Sequence, residues 1–90
     1  MYENIASQLQ LSPQELIRTS LQTYLNHQLR LVESQLLTLS QKYGAQTVTE
    51  FDRLVRDGQL HEAEAFEDFF EFDHLEAERD MLRQLLKEIE

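Results

Sequence analysis

From Pro13 to Tyr43 the chain runs 31 residues with no glycine and no internal proline. A stretch of that length, taken as one helix, is about 46 Å long and dictates the shape of whatever forms around it. Its ends carry their own signals. Ser12 can cap the first free N–H groups, Pro13 fits a first helical turn, and Glu15 suits the positive helix end. Gly44 stands where a C-terminal cap is expected after Tyr43. Along the helix Ile17, Leu21, Leu25, Leu29, Val32, Leu36, Leu39 and Tyr43 recur at spacings of four and three, and Leu16, Tyr24 and Leu31 widen the stripe. A stripe of this kind needs cover along its length.

Two sources of cover are available. The C-terminal helices of the same chain can fold back over the stripe, or two such helices can pair in a homodimer. A 90-residue chain buries a small core and gains most from a shared one. Dimerisation through Ile17, Leu21, Leu25, Leu29, Val32, Leu36 and Leu39 is therefore expected.

The remaining apolar residues also fall at helical spacing, so the expected fold is all-α: a long central helix with short flanking helices, in a helical bundle completed by dimerisation. A short first helix is expected over about Glu3 to Gln10, with Ile5, Ala6 and Leu9 on one side. Thr47-x-x-Glu50 has capping-box spacing and opens a helix containing Val48, Phe51, Leu54 and Val55, which Gly58 closes. Leu60 begins a last segment that continues through Leu75, Met81, Leu82, Leu85 and Ile89, as one helix or as two with a bend near Asp73. Residues 1–90 read as a single domain, with 1–44 the dimerisation part and 45–90 a partner-binding part.

Charge divides the chain along the same line. Residues 1 to 45 carry three acids and three bases, so the formal net charge of −9 belongs to the second half. Between Glu62 and Asp80 nine acids face one base, Arg79, with Phe66, Phe69, Phe70 and Phe72 interleaved. An acidic surface with aromatic anchors suits a basic protein and repels a phosphate backbone, so DNA binding is not expected. The candidate partner-binding residues are Phe66, Glu67, Asp68, Phe69, Phe70, Glu71, Phe72, Asp73 and His74. Phe66, Phe69 and Phe70 have the i, i+3, i+4 spacing of a buried group, while Phe72 points elsewhere. Either those three are core and Phe72 caps a bend, or at least one ring enters a pocket on the partner.

Other chemistry finds little support. With no cysteine there are no disulfides or thiolate metal sites. Glu71-x-x-His74, flanked by Glu67 and Glu78, has the spacing found in carboxylate-bridged dimetal bundles, but the long helix offers only Glu15 and Glu33 as further carboxylates. No metal or other cofactor is expected. His27 and His61 lack companions at ligand spacing and read as surface or boundary residues. No nucleophile elbow and no glycine-rich phosphate loop is present, and the expectation is a protein that is not an enzyme. Without a signal-peptide pattern or an apolar run of about 20 residues, a cytoplasmic location and no membrane association are expected.

The stretch Ile5-Ala6-Ser7-Gln8-Leu9-Gln10-Leu11-Ser12-Pro13-Gln14-Glu15-Leu16-Ile17-Arg18-Thr19-Ser20-Leu21-Gln22-Thr23-Tyr24-Leu25 resembles the two-helix half of ribbon-helix-helix proteins, dimers that commonly serve as prokaryotic antitoxins. Residues Ala65 to Ala77 look like the acidic tail of small antitoxin-like proteins of toxin–antitoxin operons. Together these stretches cover a little over a third of the chain. The family's DNA-reading strand has no counterpart before Ile5, and Arg18 is the one base in the first stretch. The resemblance implies an antitoxin-like protein that binds and neutralises a cognate basic toxin, such as a nuclease, through its acidic, Phe-rich half. The alternatives from the residues themselves are a helical structural or adaptor protein, or a ferritin-like metal-binding bundle.

Overall fold

The structure, a computed structural model, describes residues 1–59 and 62–89, with side chains of the last helix from Ala65 onward. The described residues contain four α-helices and no strand: α1 (Tyr2–Gln8), α2 (Pro13–Tyr43), α3 (Val48–Arg56) and α4 (Glu62–Ile89). The fold is all-α, as the periodicity requires. Leu60 and His61 lie outside the described residues, and the segment beyond them is one unbroken 28-residue helix rather than two.

The boundary chemistry follows the sequence closely. Ser12 Oγ accepts from the Glu15 N–H at 3.0 Å, and Gly44 caps α2 with φ 67, its N–H donating to the Ser40 carbonyl. Thr47 Oγ1 accepts from the Glu50 N–H at 3.1 Å, but the Glu50 carboxylate reaches the Gln46 N–H at 2.8 Å instead of that of Thr47. The capping box is thus opened by one residue. At the end of α1 the chain makes a Schellman-type turn, Gln10 N–H to the Ser7 carbonyl and Leu11 N–H to that of Ala6. Gln10 takes the left-handed conformation there (φ 62), a position that glycine usually fills.

α2 and α4 form a long antiparallel hairpin, pinned near its closed end by Lys42 and Asp68 and further along by Arg83 and Glu33. The seam on α2 is Leu25, Leu29, Val32, Leu36, Leu39 and Tyr43. Alternating fours and threes give the repeat at which two helices can stay in register over many turns. On α4 the buried residues are Ala65, Phe72, Leu75 and Leu82, with Phe69 packed against them. α3 lies across the closed end, contributing the fully buried Phe51, and α1 packs against the start of α2.

Val32, Leu36 and Leu39, expected at a dimer interface, are therefore covered by the chain's own α4. The reason is length: the last segment is one 28-residue helix rather than two short ones, and it reaches most of the way along α2. Ile17 and Leu21, at the other end of the same stripe, remain 44% and 48% exposed. The molecule is elongated, 60 × 19 × 17 Å, with a radius of gyration of 18.7 Å where a compact chain of this length has about 12 Å.

Candidate functional site: the acidic and aromatic face of α4

One aromatic cluster fixes the closed end of the hairpin. The Tyr43 ring meets Phe51 edge-on at 4.5 Å between centroids, and Phe51 lies 6.0 Å from both Phe69 and Phe72. Phe72 is completely buried, so it neither caps a bend nor faces a partner. The heptad-like stripe explains this. Counting back from Leu82 and Leu75 by sevens, threes and fours reaches Phe72, Phe69 and Ala65, while Phe66 and Phe70 fall on the opposite side.

Those two rings are the ones left outside. Phe66 and Phe70 are 61% and 59% exposed, and they contact each other one turn apart with centroids at 5.5 Å. Phe70 also meets the edge of Phe69 at 5.8 Å. Together with Ala65, Phe69, Asp52 and Val55 they line a hollow of about 140 Å³ between α3 and α4. Small-molecule sites run to roughly 300–1,000 Å³, so this hollow suits one inserted apolar side chain better than a metabolite.

The acids around it are of two kinds. Asp68 turns inward: its Oδ2 accepts from Lys42 Nζ at 2.7 Å and from the Tyr43 hydroxyl. Glu76 accepts from the Val48 N–H at 3.2 Å and so holds the start of α3 against α4. Asp52 pairs with Arg56 at 2.8 Å on α3. Glu67, Glu71 and Asp73 are exposed, with no hydrogen bond or ion pair among the described residues. His74 is exposed, its Nε2 3.8 Å from Glu78. Of the nine expected partner-binding residues, Phe66, Glu67, Phe70, Glu71, Asp73 and His74 face outward; Phe72 is core, Phe69 is half core, and Asp68 is engaged within the fold.

The stripe Glu67, Glu71, His74, Glu78 lies on the solvent side of α4 rather than in the seam. A ferritin-like centre needs it to face the bundle interior. Among the described residues no group of three or more His, Cys, Asp or Glu side chains is arranged to hold a metal ion. Nor is any described helix long and apolar enough to cross a membrane.

The Lys42–Asp68–Tyr43 group makes the closed end sensitive to pH. Hydrogen bonding from the Lys42 ammonium, then from the Tyr43 hydroxyl, holds the Asp68 carboxyl below its ordinary 3.8. Burial, then the hydrogen bond to Asp68, pushes the Tyr43 hydroxyl above 10.0, and the Asp68 contact raises Lys42 above 10.5. A depressed carboxyl contributes stability that is complete above the unfolded value and lost as pH falls through the folded one. The two raised groups contribute stability that is complete below their unfolded values and lost as pH rises through the folded ones. Asp68→Asn should therefore lower the urea midpoint by a constant amount between roughly pH 5 and 9, with the gap to the parent closing below about pH 4 and above about pH 10. A gap unchanged at pH 3 would mean that the carboxylate charge contributes nothing.

With the geometry in place, comparison supplies a family. The model described as "Uncharacterized protein MJ0235 family" matches residues 1–90, and the chain belongs to that family. No curated protein and no solved structure matches it.

Proposed function

We propose that this family member is a protein-binding module that captures a basic partner on the outer face of α4, the activity expected of an antitoxin toward its cognate toxin. The exposed Phe66–Phe70 pair above the small apolar hollow carries the reading. Full burial of a phenylalanine is worth about 1.5–3 kcal/mol, and leaving two adjacent rings in water forgoes most of that. An aromatic pair rimmed by acids is the arrangement of an interface anchor: the rings and hollow supply affinity, and Glu67, Glu71 and Asp73 select a partner bearing Lys or Arg. A nuclease toxin fits that chemistry, since a site that attracts phosphates is itself basic. Covering such a site with carboxylates would neutralise it without any reaction on this chain.

The experiment is co-expression with the product of the adjacent gene. The expected result is that the neighbour alone arrests growth, the pair grows, and both proteins co-purify. The Phe66→Ala/Phe70→Ala variant should lose rescue and co-purification while keeping its melting temperature within a few degrees, because neither ring is in the core. Replacing Phe69 would be a poorer probe, since that ring also supports Phe51. A neighbour without toxicity, or rescue that survives the double substitution, removes the antitoxin reading.

A further inference from the structure

The strongest unassigned feature lies at the other end of the molecule. α4 covers the α2 stripe from Tyr43 back to about Leu25 and goes no further among the described residues. Beyond it an arm projects, made of α1 and the first three turns of α2. Tyr2, Ile5, Leu9, Ile17, Leu21 and Tyr24 are all between 44% and 61% exposed on this arm. Ile17 and Leu21 stand at steps of four before Leu25, beside the positions Gln22 and Arg18 that the seam's alternation of fours and threes would next reach. The arm is thus an apolar strip that α4 leaves uncovered.

We propose that the arm is a self-association surface, through which two copies pair arm against arm in antiparallel sense to form an end-to-end dimer. Surface area supports a protein-sized occupant. A compact 10.7 kDa monomer exposes about 5,500 Å², whereas this chain exposes 6841 Å². The excess, about 1,300 Å², is spread over the whole 60 Å rod, and the arm's share of it is the half-exposed faces of these six side chains. Charge selects a second copy. Through Leu25 the arm carries two acids, Glu3 and Glu15, and one base, Arg18, so nearly all of the chain's −9 lies elsewhere. An almost neutral arm can meet itself, whereas the acidic face of α4 cannot.

Charge also selects the direction. Leu21 and Lys42, which holds Asp68, are about 30 Å apart along α2. Antiparallel arms place the two acidic faces at opposite ends of the assembly, far beyond the screening length of about 8–10 Å. Parallel arms would set them side by side. A two-fold arrangement gives each copy the same contacts and closes at two. This inference is independent of toxin capture and leaves the outer face of α4 accessible at both ends.

Light scattering on the full chain tests the mass, and small-angle X-ray scattering tests the direction. At about 100 µM chain, a concentration at which a specific dimer should be populated, the expected mass is twice the 10.7 kDa of one chain. Two 60 Å molecules overlapping along their arms give a maximum dimension of about 100 Å. Leu21→Glu should give a helical monomer by light scattering and circular dichroism. Leu37→Glu, at a position at least as exposed but away from the arm, should remain a dimer. A monomeric parent, or a dimer that persists in Leu21→Glu, overturns the proposal. A dimer only about 60 Å long would overturn the antiparallel arrangement.

Discussion

Phe72→Ala is expected to lower stability by about 3–5 kcal/mol, and Phe70→Ala, two residues away, by less than about 1 kcal/mol. Phe72 is fully buried between Phe51 and the α2 seam, so truncation loses both the apolar burial and the packing of the space left behind. Phe70 is 59% exposed and leaves no enclosed cavity. For a chain of this size 1 kcal/mol shifts the melting temperature by about 4–8 °C, so the two variants should differ by about 10 °C or more. Thermal melts followed by circular dichroism measure this directly. Equal effects, or a larger one at Phe70, would mean that α4 is rotated about its axis from the orientation described.

The second large effect separates the two halves of the α2 stripe. Leu36→Asp puts a carboxylate into the α2–α4 seam, where Leu36 is 7% exposed. Burying an unpaired charge costs several kcal/mol, a large part of the 5–15 kcal/mol that holds a domain of this kind together. Leu36→Asp should therefore have lost most of its helical signal at 25 °C. Leu21→Asp places the same group on the exposed arm and should keep it. If both variants fold equally well, the seam is not the core of the molecule.

These contrasts show where the sequence was legible. Ser12, Pro13 and Gly44 marked both ends of α2, and Thr47 with Glu50 marked the start of α3, because local hydrogen bonding at helix ends depends on a few neighbouring residues. The turn after α1 gave no such signal, since its left-handed position is filled by Gln10 rather than glycine. What the α2 stripe packs against was not local information. A helix–helix seam made within one chain and one made between two chains need the same spacing, and the length of α4 decides between them.

The candidate site was legible as a segment but not as a face. Phe66, Phe69 and Phe70 share i, i+3, i+4 spacing, but the frame set by Leu75 and Leu82 assigns Phe72 to the core and turns Phe66 and Phe70 outward. The same frame brings Asp68 within reach of Lys42 and Tyr43, a contact across 26 and 25 residues that no spacing rule contains. Composition located the acids correctly. It could not tell those that hold the fold, Asp68 and Glu76, from those left to face a partner, Glu67, Glu71 and Asp73.

The most direct measurement is calorimetric titration of the purified product of the adjacent gene into this protein and into its Phe66→Ala/Phe70→Ala variant, each at low and at moderate salt. Two anchor rings, each about 60% exposed and worth about 1.5–3 kcal/mol on burial from full exposure, correspond to a loss of affinity of roughly twentyfold or more in the variant. The parent's Kd should rise with salt, as pairing between exposed carboxylates and a basic surface requires. Binding of equal strength in parent and variant, or binding insensitive to salt, would contradict the assignment of the outer face of α4 as the partner-binding surface.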